Sequence, residues 1–235
     1  MTMEQPKAST SIFEASYKGV MWRKTLRLTF YLYVALLWAM YLIDGSITFV
    51  TISKVTAAAA ALLIGFSFAL SGFCYYWDFL DSKIGLRKYL GLMGFWLALA
   101  YSLSLLVVDP DRYFFGFFRN FWTVDFILGL ISMAFFNFMA FVSRDSMMRK
   151  MGPHRWRMAL RWGYVAWLFL AIRAAIIEQD IWIAYFRTLK GFPPPRLLLS
   201  LYVVAIILFR LAVEVSKHMK NAHKAETRGE VAPGV

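Results

Sequence analysis

FVSRDSMMRKMGPHRWRMALRWGYVAWLFLAIR, residues 141–173, is a basic loop feeding an apolar helix. Its first half carries Arg144, Arg149, Lys150, Arg155 and Arg157 against a single acid, Asp145. Pro153, directly after Gly152, suits a helix start, because a first-turn residue needs no N–H partner. Its second half is a long apolar run with Arg173 deep inside it. A cationic loop leading into an apolar helix is how a multi-pass membrane protein marks its cytoplasmic side. The segment therefore predicts both a fold class and an orientation.

Working outward, the rest of the chain repeats the pattern. Of its 235 residues 60% are hydrophobic and 18% aromatic, more apolar side chain than a soluble domain of this size buries. Apolar runs at about 25–43, 55–77, 88–108, 121–143, 156–178 and 196–216 each approach the ~20 residues that cross a bilayer. The expectation is an all-α, six-helix transmembrane bundle. A polar N-terminal tail (1–24) with room for an interfacial helix near Phe13–Trp22 precedes it, and a basic C-terminal tail (217–235) follows. Trp22, Trp77, Trp122, Trp156 and Trp182 fall near the span ends, as an interfacial aromatic belt requires.

The net charge of +12 is a topology signal rather than a nucleic-acid footprint, because the cations bunch between the apolar runs. On one side lie Lys7, Lys18, Arg23, Lys24 and Arg27, then Lys83, Arg87 and Lys88. The five cations of the central loop follow, with Lys217, Lys220, Lys224 and Arg228 last. The other side has Lys54, Arg112, Arg119, Arg187, Lys190 and Arg196. Seventeen against six predicts both termini in the cytoplasm, and hence a multi-pass protein of the cytoplasmic membrane. The outer loop 179–195 is expected to hold a short helix on the membrane surface, around Ile181–Phe186, and an extended Pro193-Pro194-Pro195 linker.

Little in the chain suggests catalysis. The three histidines, His154, His218 and His223, lie outside the apolar runs. Cys74 is a single thiol, and no phosphate loop, triad or metal-ligand cluster is present in the sequence. The candidates are the charges inside the spans: Asp125, Arg161, Arg173, Arg210 and Glu214. Such groups cost ~2.5–3.5 kcal/mol each to insert and face the bundle interior. Arg210 and Glu214, four apart near the inner end of the last span, form an expected intrahelical pair, and Arg161 is expected to snorkel. Asp125 and Arg173 stand at matched depth, roughly 6–8 Å below the outer surface, on neighbouring antiparallel helices. They are expected to form an interhelical ion pair, either as a packing contact or as a site for substrate, ion or proton.

Leu86-Arg87-Lys88-Tyr89-Leu90-Gly91-Leu92 resembles the L-R-R-x-L-G-L opening of the third span in ferric-reductase-like transmembrane domains. Ala140-Phe141-Val142-Ser143, Met148-Arg149-Lys150-Met151-Gly152 and Trp156 are similar to the T-S, R-R-L-G and W-x-x-L-H elements of one branch of that family. The branch is the haem-binding membrane subunits of methionine sulfoxide reductase systems. The likeness covers roughly residues 55–215 and implies a six-helix bundle holding b-type haem between histidines. At the positions where the family has those histidines, this chain has Tyr101, Leu160 and Arg173, and Gly152 to Trp156 is one residue longer than the family spacing. The resemblance thus implies the fold, with the haem ligands gone and no cofactor expected. Tyr101, aligned with one ligand, is expected to share the interior space of Arg173 and Asp125.

Three readings follow: a haem-free binding or assembly subunit, with a membrane or soluble protein partner; a membrane oxidoreductase whose haem is held unusually or supplied by a partner; and a small transporter or channel working through Asp125 and Arg173.

Overall fold

The computed structural model describes residues 7–77, 85–189 and 191–228. Lys83 and Lys190 lie outside the described residues, as do the side chains of Lys7, Arg149, His154, Arg157, His223, Lys224 and Arg228. The chain is all helical: α1 (Lys7–Asp44), α2 (Phe49–Tyr76), α3 (Leu86–Val108), a π-helical turn (Asp111–Phe115), the short α4 (Phe117–Asn120), α5 (Val124–Val142), α6 (Asp145–Thr188) and α7 (Pro195–Arg228). Six of these contain a segment long and apolar enough to span a bilayer: Tyr17–Asp44, Phe49–Tyr76, Leu86–Val108, Val124–Val142, Met158–Thr188 and Pro195–Lys220. The chain is a multi-pass membrane protein built as a six-helix bundle.

The connections explain where helices stop. Gly45, with φ +69°, ends α1, and its N–H donates to the Tyr41 carbonyl at 2.8 Å. Thr48 caps α2, accepting from the Thr51 N–H at 3.2 Å. Between α5 and α6 the chain turns within Ser143–Arg144, and Gly152, with φ +75°, interrupts α6 just before Pro153. The helix that runs through the membrane thus begins at the proline, as the sequence predicts.

Two boundaries differ from expectation. α1 is continuous from Lys7, so no separate interfacial helix precedes the first span. The C-terminal end of α6 continues to Thr188 past a local break at Glu178 (φ −115°, ψ 19°), and α7 starts at Pro195. Glu178 accounts for this compactness. It meets Arg196 at 3.0 Å and accepts from the Trp182 indole N–H at 3.2 Å, tying the last turns of α6 to the first turn of α7.

α2 is the central helix, touching α1, α3 and α7. Its contact with α3 is close because the contact residues are small. A methyl on Gly94 would lie 2.7 Å from Ile64 Cγ1 and 3.1 Å from the Ala60 carbonyl. Ser53 and Ser104 join hydroxyls at 2.5 Å. The α5–α6 pair is held by the Ser132 hydroxyl, which donates to the Ala166 carbonyl at 3.1 Å, and by Phe135 stacked on Trp162. Trp167, 1% exposed, sits at the middle, edge-on to Phe68 and Tyr202. The Tyr202 hydroxyl reaches across to the Leu62 carbonyl at 3.1 Å, binding α7 to α2. Large apolar side chains such as Phe30, Trp38, Leu103 and Leu201 point outward, where lipid is their solvent.

Candidate functional site

Asp125 is in the first turn of α5 and is buried, 7% exposed. Its carboxylate is claimed by Arg112, Nη2 to Oδ2 at 2.6 Å. The expected ion pair with Arg173 is therefore corrected: Arg173 donates instead to the Asp125 backbone carbonyl, Nε to O at 2.9 Å, and to the Tyr113 hydroxyl, Nη2 to Oη at 3.1 Å. The guanidinium lies over Gly129, where a methyl would stand 3.1 Å from Nε. Among the described residues no carboxylate pairs with Arg173, so its charge is met by a carbonyl and a phenol alone.

The loop after α3 makes this possible. Asp109 accepts from the Arg112 N–H at 3.2 Å, Pro110 is already helical, and the π turn brings Arg112 and Tyr113 down onto α5. Asn120 donates to the Arg112 carbonyl at 3.2 Å, and the Tyr113 ring stacks on Phe126. In sequence Arg112 reads as one of the few outer-loop cations, and Tyr113 is not singled out. A lone buried carboxylate such as Asp125 calls for a cation, but nothing in the spacing chooses Arg112 over Arg173.

Tyr101 and Arg173, from α3 and α6, line the same space at the Asp125 end of the bundle. Two adjoining cavities of about 300 and 310 Å³ share them, together with Ala57, Ala61 and Trp167. The small alanines of α2 leave this room. One cavity extends toward α7 and Ser200, the other between α3 and α5 toward Met133.

At the other end of the bundle a larger cavity of about 510 Å³ opens between α2, α3, α5 and α6, under the first turns of the α1 span. Leu160 lines it, along with Arg87 and Trp156. The Trp156 indole donates to the Val142 carbonyl at 3.2 Å, fixing its ring as a wall.

Nearby, Glu214 gathers three cations: Arg161 at 2.9 Å, Arg210 at 3.4 Å and Lys217 at 3.7 Å. The Arg210–Glu214 pair is present, and Arg161 joins it from α6 rather than snorkelling alone. His218 is exposed beside this cluster.

The donor set can be tested against the b-type haem that the family resemblance implies. Leu160 has no ligand atom, a guanidinium is not a haem ligand, and Arg173 is already held by two acceptors. Tyr101 alone offers an oxygen, with a cation in the same cavity. These residues do not fit a haem held by facing axial ligands. Compared with known proteins, the sequence matches no protein-family model and no curated protein.

Proposed function

We propose that this chain is a haem-free membrane subunit built on a ferric-reductase-like bundle, and that it binds a ligand or partner rather than moving electrons. The observation that carries the reading is the engagement of Arg173. At a position where the resemblance expects an imidazole, its guanidinium is spent on the Asp125 carbonyl and the Tyr113 hydroxyl. A polar network lies where the resemblance would put a redox centre, and the interior keeps its cavities. The segregation of basic residues supports an orientation with both termini in the cytoplasm and the Arg112–Asp125 end outside.

A reduced-minus-oxidised optical spectrum of the purified chain tests the proposal. The expected result is a colourless protein with no Soret or α band and co-purification of a partner or ligand. A Soret band with one or more haems per chain overturns it and returns the chain to membrane electron transfer.

A further inference from the structure

We propose that the cavity of about 510 Å³ at the basic end is a binding site for an anionic amphiphile, a phosphate-bearing head group on an apolar body. The inference deepens the reading of the chain as a binding subunit and rests on it.

The cavity has the size of a ligand site and a division of chemistry that selects its occupant. Its floor is Ile64, Phe68, Phe95, Phe136, Met139 and Leu160. Its rim holds Lys18, Arg87 and Lys88, and no carboxylate is among the described lining residues. Three neutral polar groups of the wall are already satisfied within the protein. The Ser67 hydroxyl donates to the Arg87 carbonyl at 2.7 Å, the Ser143 hydroxyl to the Met139 carbonyl at 2.7 Å, and the Trp156 indole to the Val142 carbonyl.

Arg87 is the cation on which the assignment turns. It is on the first turn of α3, half-buried, and its guanidinium has no ion pair among the described residues. Arg161, Arg210 and Lys217, elsewhere at this end, share Glu214. A guanidinium partly removed from water favours an oxyanion it can grip with two N–H groups, which is the geometry of a phosphate. Ser67 fixes the Arg87 backbone, so the side chain is held at the rim rather than swept through the headgroup layer. Basic pockets between transmembrane helices are places where acidic lipid head groups bind. A soluble phosphate shares the head-group chemistry but would leave the aromatic and aliphatic floor uncovered.

The test uses the full chain in a neutral detergent, with phosphatidylglycerol, phosphatidylcholine or inorganic phosphate added. Native mass spectrometry reads retained lipid, and thermal melting reads stabilisation. Phosphatidylglycerol is expected to be retained and to raise the melting temperature, with phosphatidylcholine and phosphate doing neither. Arg87→Gln should weaken retention by about tenfold or more, the loss of one charge-assisted contact. Leu160→Trp, which fills the floor without touching a charge, should block retention while leaving the lipid-free melting curve in place, and carries the test if Arg87→Gln misfolds. Equal retention of phosphatidylcholine, retention of phosphatidylglycerol unchanged by both variants, or equal stabilisation by phosphate alone each overturns the proposal. A Soret band in the same sample would overturn the haem-free reading instead, so the two failures are distinct.

Discussion

Breaking the Arg112–Asp125 pair from its two sides should have unequal effects. The Asp125 side chain is 10% exposed and that of Arg112 is 40% exposed. Arg112→Gln leaves a carboxylate that cannot turn to water, which places the loss near the lower end of the range for a stranded buried charge, about 3 kcal/mol. Asp125→Asn leaves a guanidinium on the flank of the segment after α3, free to rotate toward solvent. Screening then reduces the loss to about 1 kcal/mol. Combining the two should recover part of the sum, with a coupling of about 1–2 kcal/mol. The cycle pairing Asp125→Asn with Arg173→Gln should show less coupling, because Arg173 holds the Asp125 backbone carbonyl, which the substitution leaves in place. Unfolding of each variant by SDS titration from mild detergent, followed by tryptophan fluorescence, supplies the free energies. The reasoning is refuted if Asp125→Asn costs as much as Arg112→Gln, or if the Arg173 cycle shows the larger coupling.

Gly65→Ala should destabilise the bundle by about 1–3 kcal/mol through overpacking. The new methyl would lie 2.5 Å from Tyr202 Cε1 and 2.7 Å from Trp167 Cη2. In a Tyr202→Ala background the same change should cost less, and an equal cost would show that the notch is not what excludes a methyl. Glu214→Gln should cost no more than about 1 kcal/mol in the same titration, because its partners Arg161 and Lys217 are 63% and 41% exposed. For orientation, an impermeant thiol reagent on intact cells should label Asp111→Cys but not Lys150→Cys, both in a Cys74→Ser background. The reverse pattern would invert the topology.

The bundle was legible because bilayer-length apolar runs need no tertiary information. All six spans are where hydropathy places them, and Gly152-Pro153 marks the start of the fifth. The helices extend past those runs where the signal stops being apolar. α6 passes beyond Glu178 because Arg196 and Trp182 hold its last turns, contacts that join residues from separate segments. At the site, Asp125 and Arg173 stood out because charge is rare inside an apolar run, and the structure brings them together. The bond between them is a different one, because the carboxylate has a nearer cation. Arg112 was hidden by its place in a loop, and only the π turn after Pro110 lowers it to α5. Arg87 was hidden likewise as a boundary cation. Its partial burial depends on α1 crossing over Gly85, where a methyl would run into the Tyr17 hydroxyl.

The position of α2 has a consequence for how the chain is made. Helices 2 and 3 pack as sequence neighbours, and so do 5 and 6, so these contacts can form as each pair leaves the translocon. The remaining face of α2 waits for α7, which is synthesised after the other five spans. Until Tyr202 arrives, the Leu62 carbonyl has no cross-bundle donor and the Gly65 notch is closed from the α6 side alone, by Trp167. A nascent chain stopped before residue 195 would carry that open seam into the bilayer, a surface that membrane quality control can recognise. Premature termination just before α7 should therefore be as damaging to cellular abundance as a lesion in the centre of the bundle.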